Sequence, residues 1–314
     1  MTGVQTCALP IYTLYRPDNN FQATWTFPAT SRLLLWAGVT LVKGQVNRQF
    51  SGGSSSDISV LDLATNYRYG AAGSSLTGLP NSWGSQEFTN VNENFAATYV
   101  AGAHSLKFGL GLLQAPGGKV SDINNSVSYT FRGTVPQSIT YWATPFSYRT
   151  RLDIINIFAS DQWRFKRLTL TGGVRFDGLR GSVPEQHLAA GLYVPKRDFA
   201  AVSNTPDWKD INPRIGASFD LFGNGKTALK ASLSRAVNFE ASGGYTLLNN
   251  PVNAMVTSAT RTWNDSNNDY IPQASELSGL SNSAFGTVVR NTFYSDDVVK
   301  GWGTRGYSWA GSVS

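Results

Sequence analysis

Cysteine and charge are both scarce in this chain of 314 residues. The single cysteine, Cys7, excludes an internal disulfide. Charged residues make up only 15% of the sequence, whereas soluble domains average about 25%. The formal net charge is +6, but the lysines and arginines stand singly, without the runs that mark a nucleic-acid partner. These scarcities exclude a disulfide scaffold and argue against a protein that binds nucleic acid.

Long hydrophobic runs are also missing. No stretch reaches the roughly 18 apolar residues of a membrane helix, and residues 33–42 come nearest, broken by Gly38 and Thr40. Residues 1–11 lack the basic start and apolar run of a signal peptide, and we interpret them as a translated sequencing adapter. Residues 12–314 are expected to form one partial domain. If this domain enters a membrane, it must do so with β-strands.

Alternation of apolar and polar residues is abundant, and it is clearest between residues 152 and 237. In residues 168–177 the even positions are mostly apolar and the odd positions mostly polar, and residues 214–221 and 229–237 repeat a period of two. Such a period predicts β-strands with one apolar and one polar face. We predict that seven charged residues line a wet lumen, although a merely solvated sheet face would carry the same residues: Asp161, Arg175, Asp177, Arg214, Asp220, Lys230 and Arg235.

Turn lengths favour a membrane barrel over a sandwich. Short turns near Pro28, Gly102, Lys166 and Gly223 alternate with long segments at 47–85, 114–125, 179–212 and 238–304. Outer-membrane barrels sort their loops in this way, with short periplasmic turns and long extracellular loops. We therefore predict an all-β, antiparallel transmembrane β-barrel fragment. Whether the hairpin at residues 126–144 spans the membrane stays open at this point.

A soluble alternative also stays open. In a secreted β-sandwich, such as an adhesin or a sugar-binding module, the same alternation would bury Leu168, Val174, Phe219 and Leu229 between two sheets. Aromatic residues near strand ends favour the barrel, because interfacial girdles of outer-membrane proteins are aromatic. These residues are Trp25, Phe27, Trp163, Phe165, Phe176, Tyr307 and Trp309.

Several motifs in residues 92–314 carry a family resemblance: Asn92-Glu93-Asn94-Phe95, Ser160-Asp161-Gln162-Trp163, Arg167-Leu168-Thr169-Leu170, Gly173-Val174-Arg175-Phe176-Asp177, Val183-Pro184-Glu185-Gln186, Trp208-Lys209-Asp210-Ile211-Asn212-Pro213-Arg214, Asp220-Leu221-Phe222-Gly223-Asn224-Gly225-Lys226-Thr227, Asn250-Pro251-Val252-Asn253 and Thr262-Trp263-Asn264-Asp265. In their order and spacing they resemble the barrel of TonB-dependent outer-membrane receptors. The nearest type is the large acidobacterial one that has a carboxypeptidase-regulatory-like domain.

The resemblance implies a 22-stranded barrel closed by a plug, of which this chain would hold about 10–12 strands. It also implies residence in the bacterial outer membrane and TonB-dependent transport of a large extracellular ligand: a carbohydrate, a peptide or a metal chelate. The implied partners are outer-membrane lipid, the extracellular ligand, and the TonB system, reached through a plug that this chain does not contain. A passive outer-membrane channel is the alternative within membranes.

Residues 265–276 have the oxygen-ligand spacing of a calcium loop. Asp265, Asn267 and Asp269 stand at positions one, three and five, Ile271 offers a carbonyl at seven, and Glu276 stands at twelve. Position six is glycine in such loops because the chain turns sharply there, but here it is Tyr270. A calcium ion at this loop is one interpretation of the spacing, and we expect no other cofactor. A solvated loop rich in Asp and Asn is the alternative.

The remaining features give little support to catalysis. His104 and His187 stand without a motif partner, and Gly225-Lys226-Thr227 lacks the first glycine of a phosphate-binding loop, so we expect a hairpin turn there and no enzyme. Five aromatic residues of the long loops are candidates for ligand contact, although loop aromatics often pack against their own loops. They are Trp83, Tyr245, Trp263, Tyr270 and Trp302.

Overall fold

A computed structural model describes residues 12–49, 56–71, 79–238, 240, 244–289 and 294–314. The expected adapter at 1–11, with Cys7, lies outside the described residues. The strands are β1 Tyr12–Pro28, β2 Leu33–Gln49, β3 Ser59–Asp62, β4 Tyr67–Tyr69, β5 Trp83–Ala101, β6 His104–Asp122, β7 Val127–Arg132, β8 Val135–Trp142, β9 Phe146–Phe165, β10 Leu168–Ser182, β11 Gln186–Leu188, β12 Arg197–Phe199, β13 Asp207–Asp220, β14 Ala228–Val237, β15 Ser258–Thr262, β16 Lys300–Trp302 and β17 Tyr307–Val313.

Helical structure is brief. The described residues include helices α1 Tyr245–Leu248 and α2 Asp296–Val299, with 3-10 turns at Asn124–Ser126, Pro251–Ala254 and Ala274–Glu276. No helix among these residues has the length and apolar character needed to cross a bilayer.

The main sheet is antiparallel and runs in the order β1-β2-β5-β6-β9-β10-β13-β14-β17, with the short β16 added in parallel to β13. Its tight turns use residues with positive φ, such as Gly102 at +58° and Lys166 at +52°. The turns predicted at Gly102, Lys166 and Gly223 all join neighbouring antiparallel strands. Tight antiparallel hairpins need such backbone angles, because their twist must match that of the strands.

The prediction of a loop at residues 114–125 is wrong. Residues 114–125 were expected to leave the sheet, but β6 continues to Asp122. Pro116, Gly117 and Gly118 suggest a turn by composition, yet they pair in register with Arg151, Thr150 and Arg149 of β9. The neighbouring long strands hold this segment extended, which overrides its weak strand propensity.

The register divides the main sheet into two faces. A single row across seven strands consists of Trp25, Ala37, Phe95, Leu110, Ile157, Phe176 and Ile211. We call this side the apolar face and the other the polar face, since alternate residues of a strand point to opposite sides. Arg175, Ser218 and Lys230 lie on the polar face.

The apolar face is open rather than covered. Val174, Phe219 and Leu229 are 47%, 39% and 53% exposed, so the described residues provide no second layer over them. The sandwich alternative, which would seal these side chains inside a soluble core, is therefore wrong. Exposed aliphatic side chains along a whole sheet face are typical of a strand surface that meets lipid.

Two buried hydrophobic clusters lie in the loops. A second sheet, β15-β8-β7-β3-β4, packs around Trp263, Val127 and Ile139, and we call it the loop sheet. The hairpin at 126–144 belongs to this sheet, so it does not extend the main sheet. A further cluster that includes Phe146, Trp142 and Val252 packs the loops onto the upper end of β9.

Candidate functional site

The polar face of the main sheet holds most of the charged residues that we expected in a lumen. Arg175, Asp177, Arg214 and Lys230 lie there by register. Asp220 lies at the short turn, where its carboxylate accepts hydrogen bonds from the backbone N–H groups of Gly223 and Gly225, both at 2.9 Å. Asp220 therefore closes a turn, while the lumen role of the other four stays a prediction.

Two of the seven expected residues lie elsewhere. Asp161 pairs with Leu106 and Gly172 and so shares the apolar face with Trp163, which corrects its assignment to the polar face. Its Oδ2 lies 2.5 Å from Nδ1 of His104, so the carboxylate has a partner at the short-turn end of the apolar face. The regular alternation in the neighbouring strands had suggested that every charged residue lies on the polar face, and Asp161 is an exception.

Arg235 pairs with Trp309 on the apolar side, but its guanidinium turns inward between two strands. It donates to the carbonyl of Ile211 at 2.8 Å and to Oδ1 of Asn212 at 2.9 Å. Pairing between β13 and β14 ends at Ser234, just before Arg235, so the guanidinium fills the point where these strands separate.

A buried ion network starts from Arg235. Asp210, with no exposed side-chain surface, lies 3.3 Å from Nη2 of Arg235 and 3.2 Å from Nε of Arg305. Buried charges of opposite sign persist only when their partners compensate for lost hydration. Asp210 is thus the anion that holds two guanidinium groups below the long loops.

The network continues along the polar face. Asn212 donates to Asp177 at 2.6 Å, and Asp177 accepts from Nε of Arg175 at 2.7 Å. Nη2 of Arg305 has no hydrogen-bond partner among the described residues, although that arginine is only 6% exposed. Burial raises the pKa of the Glu240 carboxyl despite a hydrogen bond from Tyr245 and the charge of Arg305. The loops thus bring another carboxyl group into the electrostatic field of Arg305.

Sequence reasoning missed Asp210, Asn212 and Arg305 as site residues. A signal was present, because Asp210, Asn212 and Arg214 alternate on one face of β13. No sequence signal pointed to Arg305, since 95 positions separate it from its partner Asp210.

The five loop aromatics do not form one surface. Trp263 is only 2% exposed in the loop-sheet core, so ligand contact is wrong for it. Trp302 packs against Phe176 of the apolar face, with ring centroids 5.7 Å apart. Trp83 donates to Asn124 at 2.9 Å, and Tyr245 packs edge-on against Trp208. Contact with a ligand stays a prediction for the aromatics other than Trp263.

The acidic loop brings its carboxylates together. One oxygen each from Asp265, Asp269 and Glu276 lies within 4.8 Å of the other two, which fits three ligands of one cation. Asp265 accepts from the backbone N–H groups of Asp269 and Tyr270, both at 3.2 Å. Asn267 accepts from the same N–H of Asp269 at 3.0 Å. The loop therefore curls around its acidic side chains.

Tyr270 adopts the backbone conformation that glycine usually provides at position six, with φ +60°. Its ring stacks on Phe131 of the loop sheet with centroids 6.3 Å apart. Burial opposes ionisation of Glu276, but hydrogen bonds from Ser266, Trp263 and Gln273 together hold the pKa of its carboxyl below the ordinary value. The carboxylate needed for a cation is thus the favoured form.

The histidines do not assemble a catalytic group. His187 lies 2.6 Å from Asp198 on the exposed side of the hairpin of β11 and β12, and His104 stacks on Trp163. Neither pair adjoins a serine or cysteine nucleophile in any contact of the described residues. The absence of an enzyme activity stays a prediction.

An open antiparallel sheet with an exposed apolar face, a charged polar face and long loops at one end defines a bacterial outer-membrane β-barrel protein. The family described as "Outer membrane beta barrel domain" matches residues 12–302. The chain belongs to this family, and its location is the bacterial outer membrane.

No curated protein matches the chain. Among solved structures, a chain described as "Copper transporter OprC" is similar, with a TM-score of 0.44 and 15% identity. The match covers 77% of this chain and 34% of that one, so this chain spans about a third of the transporter's length.

Proposed function

We propose that this chain is part of the barrel of a TonB-dependent transporter, which imports a ligand too large for general porins. The observation that carries the proposal is the network in which Asp177 and Asp210 on the polar face pair with the guanidinium groups of three arginines. A charged wall fits either a wet lumen or a polar plug domain. The family resemblance of residues 92–314 favours the plugged barrel. It also implies that the transported ligand is a carbohydrate, a peptide or a metal chelate. We expect no catalytic activity.

Uptake by cells that express the complete protein tests this proposal. Labelled oligosaccharide, peptide and metal chelate would be offered to matched strains with and without TonB, and we expect one class to enter only when TonB is present. Planar bilayers provide the second measurement, where we expect no steady conductance. Equal uptake without TonB, or a persistently open pore, would instead establish the passive channel.

We also propose that the loop at 265–276 binds calcium. Tyr270 favours this over a merely solvated loop, because its φ of +60° allows the sharp turn despite the missing glycine. Asp265, Asp269 and Glu276 would hold the ion, with Asn267 and the carbonyl of Ile271 as further ligands. A bound ion would hold the three carboxylates together and so stabilise the loop conformation in which Tyr270 stacks on Phe131.

Calorimetry of the purified complete protein tests calcium binding, with Asp269→Asn as the variant. Asp296→Asn is the control, because Asp296 is an exposed carboxylate at a helix start and pairs with Lys300. We expect heat of binding in the unaltered and control proteins and a large loss in Asp269→Asn. The same heat in Asp269→Asn would show that calcium binds elsewhere.

A further inference from the structure

Near the long loops, the residues of the apolar face change from apolar to charged. On β9 the apolar Ile157 and Ile155 are followed on the same face by Asp153, Arg151 and Arg149. Charged residues follow at similar heights on three other strands: Lys43 on β2, Arg180 on β10 and Lys209 on β13. Because alternate residues of a strand point to the same side, all of these side chains point outward, away from the lumen.

The apolar part below this boundary has the height of a bilayer core. From Ile155 to Phe165 the strand advances by ten residues, or about 33 Å. A strand tilt of about 40° reduces this to about 25 Å, the height of an outer-membrane apolar band. Because long loops face the cell exterior, the outward charges lie level with the head groups of the outer leaflet.

A depression of about 690 Å³ opens among these charges. Lys43 and Glu87 line one side, and Arg149 and Arg151 line the other. Between them β6 contributes Pro116 and Gly117, which have no long side chains, and residues 182–184 line the pocket beside β9. We call this depression the rim pocket.

The cations of the rim pocket are incompletely neutralised. Arg151 is held by Asp153, with Nε 2.9 Å and 3.0 Å from its two oxygens. Arg149 only approaches Glu87, at 3.7 Å, and 71% of its side chain is exposed. Lys43 makes no ion pair with any residue that the structure describes. The pocket therefore presents two available cations and a third whose guanidinium is already oriented.

Phosphate fits these groups better than a single carboxylate does. A phosphate monoester has up to two negative charges and three acceptor oxygens, which suits an ammonium group and a guanidinium fork that approach it from opposite sides of one pocket. The lipid of the outer leaflet of a bacterial outer membrane is a phosphorylated glycolipid. Its acyl chains would run down the apolar face past Leu112 and Ile155, directly below the pocket.

We propose that the rim pocket binds a phosphate group of this outer-leaflet glycolipid, with Lys43 and Arg149 as the principal contacts and Arg151 as a third. The site lies on the lipid side of the sheet, opposite the charged wall of the lumen. It depends on outer-membrane location and not on TonB-dependent transport. A failure of the transport proposal would therefore leave this one intact.

Native mass spectrometry of the complete protein in detergent tests the site. The probes are a bisphosphorylated lipid A and the same glycolipid after removal of its phosphates. We expect the phosphorylated form to bind more tightly, and the Lys43→Gln/Arg149→Gln variant to lose about tenfold or more in affinity, because it loses charge-assisted hydrogen bonds. The matched control is Lys226→Gln/Arg68→Gln, which removes the same charges from a short turn and from the loop sheet; it should bind as the unaltered protein does.

Three results would overturn the proposal: equal binding of the two glycolipids, an equal loss in the control variant, or displacement of the lipid by inorganic phosphate alone. The last would indicate a general anion site. Salt provides a test that needs no variant, because about 1 M salt screens charges beyond roughly 3 Å. We expect it to weaken binding of the phosphorylated form much more than binding of the other.

Discussion

The main sheet and the loops above it expose opposite kinds of residue. In the main sheet Ile215 is 60% exposed, while Asp210 is 1% exposed. In the loops the order is the usual one, because Val252 is fully buried and Asp269 and Tyr270 are at the surface. The difference shows that two solvents shape one chain, with lipid around the apolar face and water around the loops.

Tryptophan illustrates the same difference. Trp25 and Trp309 of the main sheet are 51% and 52% exposed, whereas Trp263 of the loop sheet is 2% exposed. The ring is amphipathic, so it suits the lipid–water boundary as well as a core where its N–H finds an acceptor. Trp263 has such an acceptor in Glu276 at 3.4 Å.

The largest loss of stability should come from removing the buried carboxylate of the main sheet. Asp210→Ala would leave the guanidinium groups of Arg235 and Arg305 without their shared anion, at a cost of about 3–5 kcal/mol. Urea unfolding of the complete protein in lipid vesicles measures the change. Asp153→Ala, which removes an exposed partner of Arg151, is the control and should cost about 1 kcal/mol or less. Equal losses in the two variants would contradict a special role for the buried network.

The next effect tests which solvent the apolar face meets. Ile157 lies on this face between Leu110 and Phe176, two residues inside its upper boundary at Ile155, so Ile157→Arg should destabilise the protein by about 1–3 kcal/mol in lipid. Thr171→Arg, on the exposed polar face of β10, is the matched insertion and should cost far less. The same unfolding measurement compares them. If Ile157→Arg were harmless, the apolar face would have to be in water.

Glu93 is a carboxylate within the apolar face, where it pairs with Val39 and Leu112. Glu93→Leu should stabilise the protein by about 1 kcal/mol, since acidic groups on a lipid face cost less than basic ones but still disfavour folding. Glu87→Leu, on the same face and strand but at the rim, should give no such gain. A loss of stability in Glu93→Leu would indicate a specific partner for this carboxylate.

The sequence predicts the main sheet well because each of its strands contains its own evidence. Alternation in residues 168–177 and the Lys166-Arg167 turn specify a hairpin from neighbours alone. The loop sheet could not be predicted, since β3, β7 and β15 come from three separate excursions and meet only in the fold. The ion network was hidden for the same reason, because Asp210 and Arg305 are distant in sequence and their pairing depends on a local separation of strands.

The smallest effect concerns pH in the loop sheet. The carboxylate of Asp62 accepts hydrogen bonds from the backbone N–H groups of Gly133 and Ala64, at 2.8 Å and 2.9 Å, and from the hydroxyl of Thr65. These bonds, the Gly133 bond first, hold the pKa of Asp62 below its usual value. A depressed pKa means that the ionised form stabilises the fold, fully above about pH 4 and progressively less as the pH falls further. Amide exchange at Gly133 and Ala64, corrected for the intrinsic rate at each pH, should therefore accelerate below that point.

Asp62→Asn separates this titration from other effects of acid. Asparagine keeps an acceptor oxygen for the two N–H groups but cannot ionise, so exchange in the variant should depend little on pH. The main sheet supplies the internal reference, because its backbone bonds between strands such as β9 and β10 do not depend on Asp62. If Asp62→Asn kept the full acid response, another group would control the loop sheet. If the main sheet responded equally, the two regions would unfold as one unit, and the independence of the water-facing loops from the lipid-facing strands would be lost.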